Sequence, residues 1–261
     1  MKELLTTIII SLIVNVHALN VSAPNVRIID HPKASLTLQF EQETGTNGSS
    51  VAFNLKAQLY YSVIAGNKSY PLEVFDVHGN NVYQTNAGVD MRGLWWNKKT
   101  KSLQGNSYNG SGIISFPMDD KSYPSIGAHT IFEDGDDQPG ENSCGVYDSK
   151  KKQTLYYKDG MVYKYAKGKK VDSLKLSISK ISNINSQSMI YTGVKSMEIG
   201  ILDYVYKKVY LYNKKTGEKT ATITLPSNAV IHDMFRFSYA NNFVFLYDVD
   251  SRSWTGYQIF N

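Results

Sequence analysis

A short pattern recurs five times along this chain: a small residue, then apolar and aromatic residues, then Asp or Asn. The copies begin at Gln58, Gly93, Gly145, Gly200 and, more weakly, Ser238. The intervals between them are 35, 52, 55 and 38 residues, with a mean of 45. This mean lies inside the period of roughly 40–50 residues of four-stranded propeller blades. The sequence therefore predicts a tandem β repeat.

Composition and turn chemistry favour the same fold. The chain has 19 Tyr, 10 Phe and 3 Trp but only 7 Pro, and aromatic residues are typical of strands. Strand, polar turn and strand follow one another in segments 75–83, 163–169, 211–218 and 247–254, which we interpret as the outer two strands of successive blades. A repeat unit of this kind buries its faces only against its neighbours. We therefore predict an all-β protein, a β-propeller of five to six four-stranded antiparallel blades.

The first eighteen residues have the features of a secretory signal. Lys2 precedes an apolar run from Leu4 to Val16, and Val16-His17-Ala18 is a small-x-small cleavage pattern. The run of about 13 residues is shorter than the roughly 20 needed to span a bilayer, so we predict no transmembrane segment. The mature chain is predicted to be a monomer that is secreted or periplasmic.

The remaining chain divides into two parts. Residues 19–49 are interpreted as an N-terminal strand and linker, and residues 50–261 as the propeller, with a loop insertion around 117–142. The strand signal at 34–40 has two interpretations: it completes the last blade and closes the ring, or it belongs to a sixth blade. The chain has a single cysteine, which excludes an intramolecular disulfide. We expect Cys144 to be a buried, unreactive thiol.

The segments 212–218 and 221–226 carry a resemblance to a known class of proteins. A polar turn, Tyr-Asn-Lys-Lys-Thr-Gly-Glu, is followed by the strand Ala-Thr-Ile-Thr-Leu-Pro. These strings resemble the blade repeats of secreted β-propellers of the YVTN and NHL type, and the similarity extends loosely over residues 50–260. The resemblance implies architecture alone, because such families include binding proteins and enzymes alike.

Catalytic and cofactor motifs are absent from the sequence. There is no GxSxG, no glycine-rich phosphate loop, no HExxH and no CxxC pair, so no catalytic residue and no cofactor is predicted. Asp134, Asp136 and Asp137 are weak candidate ligands for Ca²⁺. Counted from Asp134, the sixth and twelfth loop positions are Pro139 and Gly145, where an EF-type loop has glycine and glutamate. A solvated acidic loop is therefore the favoured interpretation.

Two connections between blades pair an acid with an arginine. Asp90 and Arg92 precede the second repeat, and Asp233 and Arg236 precede the fifth. Connections of this kind line a mouth of the central channel, so all four residues are candidate ligand-binding residues, and we expect at least one arginine to be accessible. The favoured alternative is structural, with each arginine paired to its neighbouring aspartate as a tie between blades.

Adjacent tryptophans on one strand are the other candidate site. Trp95 and Trp96 must point to opposite faces, because successive strand residues alternate. Core packing between blades is the default interpretation for such residues. One of the two rings is a candidate stacking platform for a sugar.

Several of the predicted turns are rich in lysine. Segments 98–99, 150–152, 167–170 and 214–215 are rich in lysine, and the net charge is +5. Such turns usually serve solubility and protect sheet edges, and they also attract anionic polysaccharide or a membrane surface. Nucleic-acid binding is disfavoured, because no recognised binding motif is present.

Two function classes follow. The first is an exported, non-catalytic propeller that binds a glycan, peptide or protein on its channel face. The second is a sugar- or lactone-acting hydrolase in which Asp90, Asp148, Asp203 or Asp233 converge at the channel mouth. Carboxylates within about 6 Å of each other would favour the enzyme. A mouth lined by aromatic residues and single polar groups would favour the binding protein.

Overall fold

The computed structural model describes residues 27–43, 47–66, 70–110, 112–125, 127–132 and 136–261. Within these segments the chain forms twenty β-strands and two short 3-10 helices, Tyr108–Gly110 and Ile181–Asn183. Neither helix is long or apolar enough to cross a membrane, and the described residues include no other helix. The predicted signal segment, residues 1–18, and the candidate calcium ligand Asp134 lie outside the described residues.

The strands form five four-stranded antiparallel sheets. A single strand, β1 (Ala34–Gln39), comes first. The first sheet contains β2 (Asn47–Asn54), β3 (Leu59–Ala65), β4 (Pro71–Phe75) and β5 (Asn81–Asn86). The second contains β6 (Met91–Asn97), β7 (Ser102–Ser107), β8 (Ile113–Phe116) and β9 (His129–Thr130). The third contains β10 (Val146–Asp148), β11 (Gln153–Lys158), β12 (Met161–Ala166) and β13 (Lys169–Lys175). The fourth contains β14 (Ile190–Tyr191), β15 (Ile199–Asp203), β16 (Lys208–Tyr212) and β17 (Lys219–Thr224). The fifth contains β18 (Phe237–Ala240), β19 (Phe243–Asp248) and β20 (Ser253–Gln258), with β1 as its fourth strand.

The five sheets are the blades of a closed propeller. The inner strands β2, β6, β10, β14 and β18 contact one another in that order, and β18 contacts β2. Sheets in a ring bury both faces against their neighbours, which is how this architecture protects its apolar surfaces. Five blades lie within the predicted range of five to six.

The strand β1 closes the ring. It pairs antiparallel with β20, with Leu38 opposite Trp254 and Gln39 opposite Ser253, and it is the outermost strand of the fifth blade. The structure agrees with the interpretation in which the N-terminal strand completes the last blade.

The recurring sequence pattern does not occupy the same strand in every blade. The copies at Gly93, Gly145 and Ser238 lie on or just before inner strands, whereas those at Gln58 and Gly200 lie at second strands. The strand pairs also differ: segments 75–83, 163–169 and 211–218 join the outer two strands, but segment 247–254 joins the second and third strands of its blade. The region predicted as a loop insertion, 117–142, contains β9, the outer strand of the second blade.

Burial along the strands follows their position in the blade. Every residue of β3 is buried, because a second strand is covered on both faces by neighbouring blades. The outer strand β5 alternates between partly buried and exposed residues, as expected where one face of a strand meets solvent. Cys144 is buried and free, as predicted.

Candidate functional site

The central channel has two mouths of different character. All five inner strands run in the same direction, because every blade repeats the same strand order. We call the end where these strands begin the proximal mouth and the end where they finish the distal mouth. The candidate site lies at the distal mouth, where a cavity of about 210 Å³ opens between the inner strands.

Aromatic side chains surround this cavity. One residue from the inner strand of each blade contributes, and we call the set the aromatic collar: Phe53, Trp95, Tyr147, Tyr191 and Tyr239. Two hydroxyls join the collar, since Ser50 and Ser238 lie 3.3 Å apart through their Oγ atoms and also line the cavity. The distal mouth is therefore lined by aromatic faces and a few single polar groups.

Turn chemistry explains why collar residues lie at strand ends. In the first three blades the inner strand finishes at Asn54, Asn97 or Asp148. The Oδ1 atom of each accepts backbone N–H bonds from the following turn, at 3.1 Å from Lys56 N in the first blade. An Asx side chain that caps its own turn ends the strand at a defined point. The aromatic residue one or two positions earlier is thereby placed at the mouth.

Stacking holds the two tryptophans in place. The Trp95 ring lies on Tyr147 of the third blade, with 5.8 Å between centroids and planes within 13°. The Trp96 ring lies on Tyr61 of the first blade, at 5.9 Å and 5°. Each tryptophan thus contributes to packing between blades, in opposite directions. The Trp95 Nε1 donor is buried and has no hydrogen-bond partner, and such an orphaned donor in a cavity wall points to a polar ligand or water.

The collar tyrosines are neutral near pH 7. Burial raises the pKa of Tyr147 and Tyr239 above the usual value, and that of Tyr191 to about 12. The Tyr191 hydroxyl accepts a hydrogen bond of 2.9 Å from Lys214 Nζ, and the Tyr239 hydroxyl bonds Asn242 Oδ1 at 3.2 Å. The phenol groups are therefore neutral, and the hydroxyls of Tyr191 and Tyr239 are bonded within the protein.

A wider cleft of about 1010 Å³ continues from the collar towards the first and second blades. Trp96 and the exposed residues Asp119 and Asp120 contribute to its wall. Four exposed lysines also line it: Lys56, Lys98, Lys101 and Lys121. We call it the lysine cleft. Among the described residues, no ion pair or hydrogen bond involves the ammonium group of any of these four lysines.

At the proximal mouth, Arg92 makes most of its contacts with other side chains of the protein. Arg92 is 5% exposed and forms an ion pair with Asp90, with 3.2 Å between Arg92 Nη2 and Asp90 Oδ2. Its Nε donates to Asn142 Oδ1 at 2.9 Å. The guanidinium carbon lies 4.8 Å from the Tyr108 ring centroid and 5.2 Å from that of Phe235. Nearly every interaction that Arg92 can make is made within the protein.

The second arginine has a different environment. Arg236 is half-buried and donates to Asn47 Oδ1, while its Nε is buried without a partner. Burial lowers its pKa. Asp233 is exposed, and no ion pair between Arg236 and Asp233 occurs in the described part of the chain. The expected pairing of arginine with the neighbouring aspartate is thus present for Arg92 and absent for Arg236.

The structure separates the six predicted ligand-binding residues into two groups. Asp90, Arg92, Asp233 and Arg236 lie at the proximal mouth, whereas Trp95 and Trp96 line the distal mouth. Arg92 and Trp95 are three positions apart on an extended strand, so the distance between their backbones is about 10 Å. Four collar residues were not predicted from the sequence as mouth residues: Phe53, Tyr147, Tyr191 and Tyr239. Three of them, all but Tyr191, precede a turn Asn or Asp by one or two positions.

The candidate catalytic aspartates do not all lie at one mouth, although Asp90 and Asp233 both belong to segments that lead into inner strands at the proximal mouth. Asp148 caps its turn and pairs with Lys214 of the fourth blade. Asp203 ends a second strand and accepts bonds from Tyr206 N at 2.9 Å and the Tyr210 hydroxyl at 3.1 Å. Asp90 is at the proximal mouth. No group of three or more His, Cys, Asp or Glu that could hold a metal ion occurs in the residues described.

The acidic loop is described only in part. Asp136 lies 3.6 Å from Lys169 Nζ and accepts a bond of 2.7 Å from Lys170 N. Asp137 is exposed, and its backbone carbonyl accepts a bond of 2.8 Å from the Tyr165 hydroxyl. These contacts attach the loop to the third blade. A solvated acidic loop stays the favoured prediction, with calcium binding as its alternative.

Comparison with known proteins supports the fold. No protein-family model matches the chain, and no match was found among curated proteins. Among solved structures, Myxococcus xanthus glutaminyl cyclase has a TM-score of 0.54 and 9% identity, with 90% of this chain and 96% of that chain covered. A nidogen/laminin complex has a TM-score of 0.47 and 10% identity, covering 89% and 93%. Apo AztD from Citrobacter koseri has a TM-score of 0.36 and 15% identity, and the match covers 69% of this chain and 48% of that chain. At these identities the similarity to the cyclase shows the propeller fold alone, and the two lower scores carry no argument about function.

Proposed function

We propose that this protein is an exported, non-catalytic propeller that binds carbohydrate at its distal mouth. The observation that carries the proposal is the aromatic collar, to which every blade contributes one ring around a cavity of about 210 Å³. Binding sites of small molecules are typically concave, mostly apolar and furnished with a few placed polar groups. The distal mouth has all three properties.

The chemistry of the collar suits a sugar ring. A sugar presents a face of C–H groups, which packs on the negative face of an aromatic ring, and an edge of hydroxyls, which requires hydrogen-bond partners. The Trp95 Nε1 donor has no partner within the described residues, whereas the Ser50 and Ser238 hydroxyls bond each other and the backbone of Leu94 and Val51, so a sugar would compete with those bonds. The cavity holds the volume of about seven liquid-water molecules, so it accommodates one ring rather than a folded chain.

The distribution of carboxylates favours binding over hydrolysis. Glycoside hydrolysis uses two carboxyl groups that flank the scissile bond, typically within about 10 Å of each other. The collar contains no acid, and Asp148, at its edge, is bonded to Lys214 and to its own turn. Asp119 and Asp120 are neighbours in the exposed wall of the lysine cleft. Among the residues that the structure describes, no acid lines the cavity of about 210 Å³, so no pair of acids faces it from opposite sides.

Tryptophan fluorescence provides a direct test. The chain has three tryptophans, and Trp254 is fully buried with its Nε1 bonded to Ser62 Oγ at 2.7 Å. A ligand-dependent change of emission therefore reports on Trp95 and Trp96. The mature protein would be titrated with a panel of neutral and acidic oligosaccharides, with calorimetry as a second measurement.

Variants separate binding at the collar from a general effect on folding. Phe53→Leu and Tyr147→Leu replace partly buried rings by smaller apolar side chains, and each is expected to weaken sugar binding about tenfold because a stacking contact of about 1.4 kcal/mol is lost. Phe243→Leu, at a partly buried ring in the fifth blade, is the matched control. Equal affinity of all three variants, or no binding by the wild type to any sugar, would overturn the proposal.

Export is tested independently. A signal in residues 1–18 predicts that the protein recovered outside the cytoplasm begins near Leu19. Mass spectrometry of that protein gives its first residue. An intact Met1 would contradict export through this signal.

A further inference from the structure

Charge is distributed unequally between the two mouths. The turns that follow the inner strands of the first three blades, residues 55–58, 98–101 and 149–152, contain seven lysines and no acid. In the fourth blade the corresponding segment, 192–198, has one lysine and one glutamate, and in the fifth it is Asn241-Asn242. The part of the distal mouth that the first three blades form is therefore bordered by basic turns.

The proximal mouth has the opposite sign. The segments that lead into the inner strands, residues 40–43, 87–90, 140–145, 185–189 and 231–236, contain five acids and one arginine, with the acids at Glu41, Glu43, Asp90, Glu141 and Asp233. A field that reverses along the channel axis steers an anion to the distal mouth and away from the proximal one. The two ends therefore differ in the ligand charge that they attract.

We infer that the carbohydrate bound at the distal mouth is an acidic oligosaccharide, carrying carboxylate or sulfate groups. This inference rests on the proposed function. One sugar ring occupies the aromatic collar, and the following units extend along the lysine cleft, where their anionic groups meet Lys56, Lys98, Lys101 and Lys121. These ammonium groups have no acidic partner among the described residues, so none has to be displaced.

The two aspartates of the cleft reduce its charge without cancelling it. Asp119 accepts backbone N–H bonds from Lys121 at 2.9 Å and Tyr123 at 2.7 Å, so its carboxylate serves its own turn. Asp120 is exposed and has no such role in the described hydrogen bonds. Four lysines against two aspartates leave a net charge of +2 in the cleft.

A sugar polymer is favoured over a nucleic acid. The inner-strand turns at the distal mouth contain no arginine, although arginine is the side chain best matched to phosphate because its planar fork binds two oxygens at once. Lysine, a point charge on a flexible stem, suits the dispersed carboxylates or sulfates of a glycan. Single-stranded DNA serves as a competitor in the binding experiment.

The experiment compares one oligosaccharide with and without its charge. Binding of a galacturonate oligomer and of the same oligomer with its carboxylates methyl-esterified is measured by fluorescence and calorimetry, at about 0.05 M and about 0.5 M salt. The acidic form is expected to bind about tenfold more tightly at low salt and to lose that advantage at high salt, because exposed ion pairs are weak singly and add over four lysines.

A matched pair of variants locates the effect. The quadruple variant Lys56→Gln, Lys98→Gln, Lys101→Gln, Lys121→Gln is compared with Lys33→Gln, Lys175→Gln, Lys180→Gln, Lys215→Gln, which changes the net charge equally outside the cleft. Gln58 occupies in the first blade the left-handed turn position that Lys101 occupies in the second, with φ of 57° and 53°. Glutamine is therefore compatible with that backbone. Only the cleft variant is expected to lose the preference for the acidic oligomer.

The outcomes separate the two proposals. If both oligomers bind equally, or if both variants behave alike, the inference about charge is overturned and carbohydrate binding stands. If neither oligomer binds while a neutral sugar of the panel does, the charge inference fails in the same way. If no sugar binds, both proposals fail. If oligo(dT) displaces the acidic oligomer and binds more tightly than it, the ligand class is wrong.

Discussion

The proximal and distal mouths are built from the same five strands, yet their polar groups are used differently. At the proximal mouth Arg92 bonds Asp90 and Asn142 and lies between the rings of Tyr108 and Phe235. At the distal mouth the Trp95 Nε1 donor has no partner, and the cleft lysines have no ion pair among the described residues. Arg92 is therefore bonded within the protein and the cleft lysines carry exposed, unpaired charge, although Arg236 at the proximal mouth also keeps a buried Nε without a partner.

The difference between the two mouths indicates where to look for a candidate site in a propeller. Buried arginines and acids at strand starts are conspicuous in the sequence, but here the most conspicuous one, Arg92, is used to hold blades together. Aromatic residues at strand ends are less conspicuous because the whole chain is rich in them. Exposed charge without an ion pair, rather than residue type, distinguishes the lysine cleft from the surroundings of Arg92.

The largest expected effect concerns access to the proximal mouth. Cys144 packs with Ala65 and Phe235, and burial raises the pKa of its thiol from 9.0 to about 12. Alkylation by iodoacetamide of the native protein at pH 8 is expected to be slower than that of the unfolded chain by about a thousandfold, because the thiolate is the reactive form. Labelling would be followed by mass spectrometry, with urea-unfolded protein as the control. Rapid labelling in the native state would show that the proximal mouth opens.

Removal of the proximal arginine is expected to cost stability and spare binding. Arg92→Ala leaves Asp90 without its partner and removes the cation between two rings, so the free energy of unfolding should fall by about 3–5 kcal/mol. Arg236→Ala is the control, since Arg236 has no ion pair among the described residues, and a smaller loss is expected. Urea denaturation measures both. Loss of sugar binding by a stable Arg92→Ala protein would reverse the assignment of the two mouths.

A buried pair near the collar should have an effect of intermediate size. Lys214 Nζ bonds both Asp148 and the Tyr191 hydroxyl, and its side chain is 18% exposed. Lys214→Met leaves a buried carboxylate unpaired, and we expect a loss of about 2 kcal/mol at pH 7, below the full cost of breaking a completely buried pair. Lys215→Met, one residue further along the exposed turn, is the control.

The Lys214–Asp148 pair also predicts how the free energy of unfolding depends on pH. Burial opposes ionisation of Asp148, but hydrogen bonds from Lys214 and from Lys151 N outweigh it, so the pKa of Asp148 lies below its usual 3.8. A depressed carboxyl pKa stabilises the fold above the unfolded-state value, and this contribution is lost as the pH falls through the folded-state value. The difference between wild type and Lys214→Met should therefore be full at pH 7 and shrink below about pH 4. A difference that grows on acidification would contradict the pairing.

The smallest expected effect is at a single collar hydroxyl. Tyr147→Phe keeps the ring on Trp95 and removes one neutral hydrogen-bonding group. Sugar affinity should fall by about fivefold, the value of one net hydrogen bond, with melting temperature nearly unchanged. Tyr163→Phe, on the third strand of the same blade, is the control. An unchanged affinity would show that the hydroxyl does not face the ligand.

Much of the fold was predictable from the sequence because its local signals are strong. Turns that begin with Asx recur at the ends of strands, and their spacing indicates blades. The same signal limits the prediction, because an Asx turn ends a first strand at Asp148 and a second strand at Asp203. Sequence alone does not distinguish these two positions in a blade. Other contacts join residues that are far apart in the sequence, so local patterns do not predict them. One example is Asn106, whose Oδ1 atom accepts hydrogen bonds from Gly93 N and Gly145 N at 3.0 and 2.8 Å.

The candidate site was predictable only in part, for a geometric reason. The sequence placed Arg92, Trp95 and Trp96 together because they are near neighbours along the chain. An extended strand rises about 3.3 Å per residue. Two residues only three positions apart can therefore lie at opposite ends of a short inner strand. Tyr191 follows no recurring pattern, because its inner strand has only two residues. Its place in the collar depends on the closed ring.

The pairing of β1 with β20 has a consequence for how the molecule assembles. The fifth blade is completed by segments more than 200 positions apart in the chain. Its strands β18 to β20 pair locally, so only the addition of β1 requires the two ends of the chain to meet. Bringing distant segments together is slow, because loop-closure entropy is lost before the contacts are gained. A circularly permuted chain in which β1 follows β20 directly would turn this distant pairing into a local hairpin. Such a chain should fold faster than the natural order while reaching the same ring.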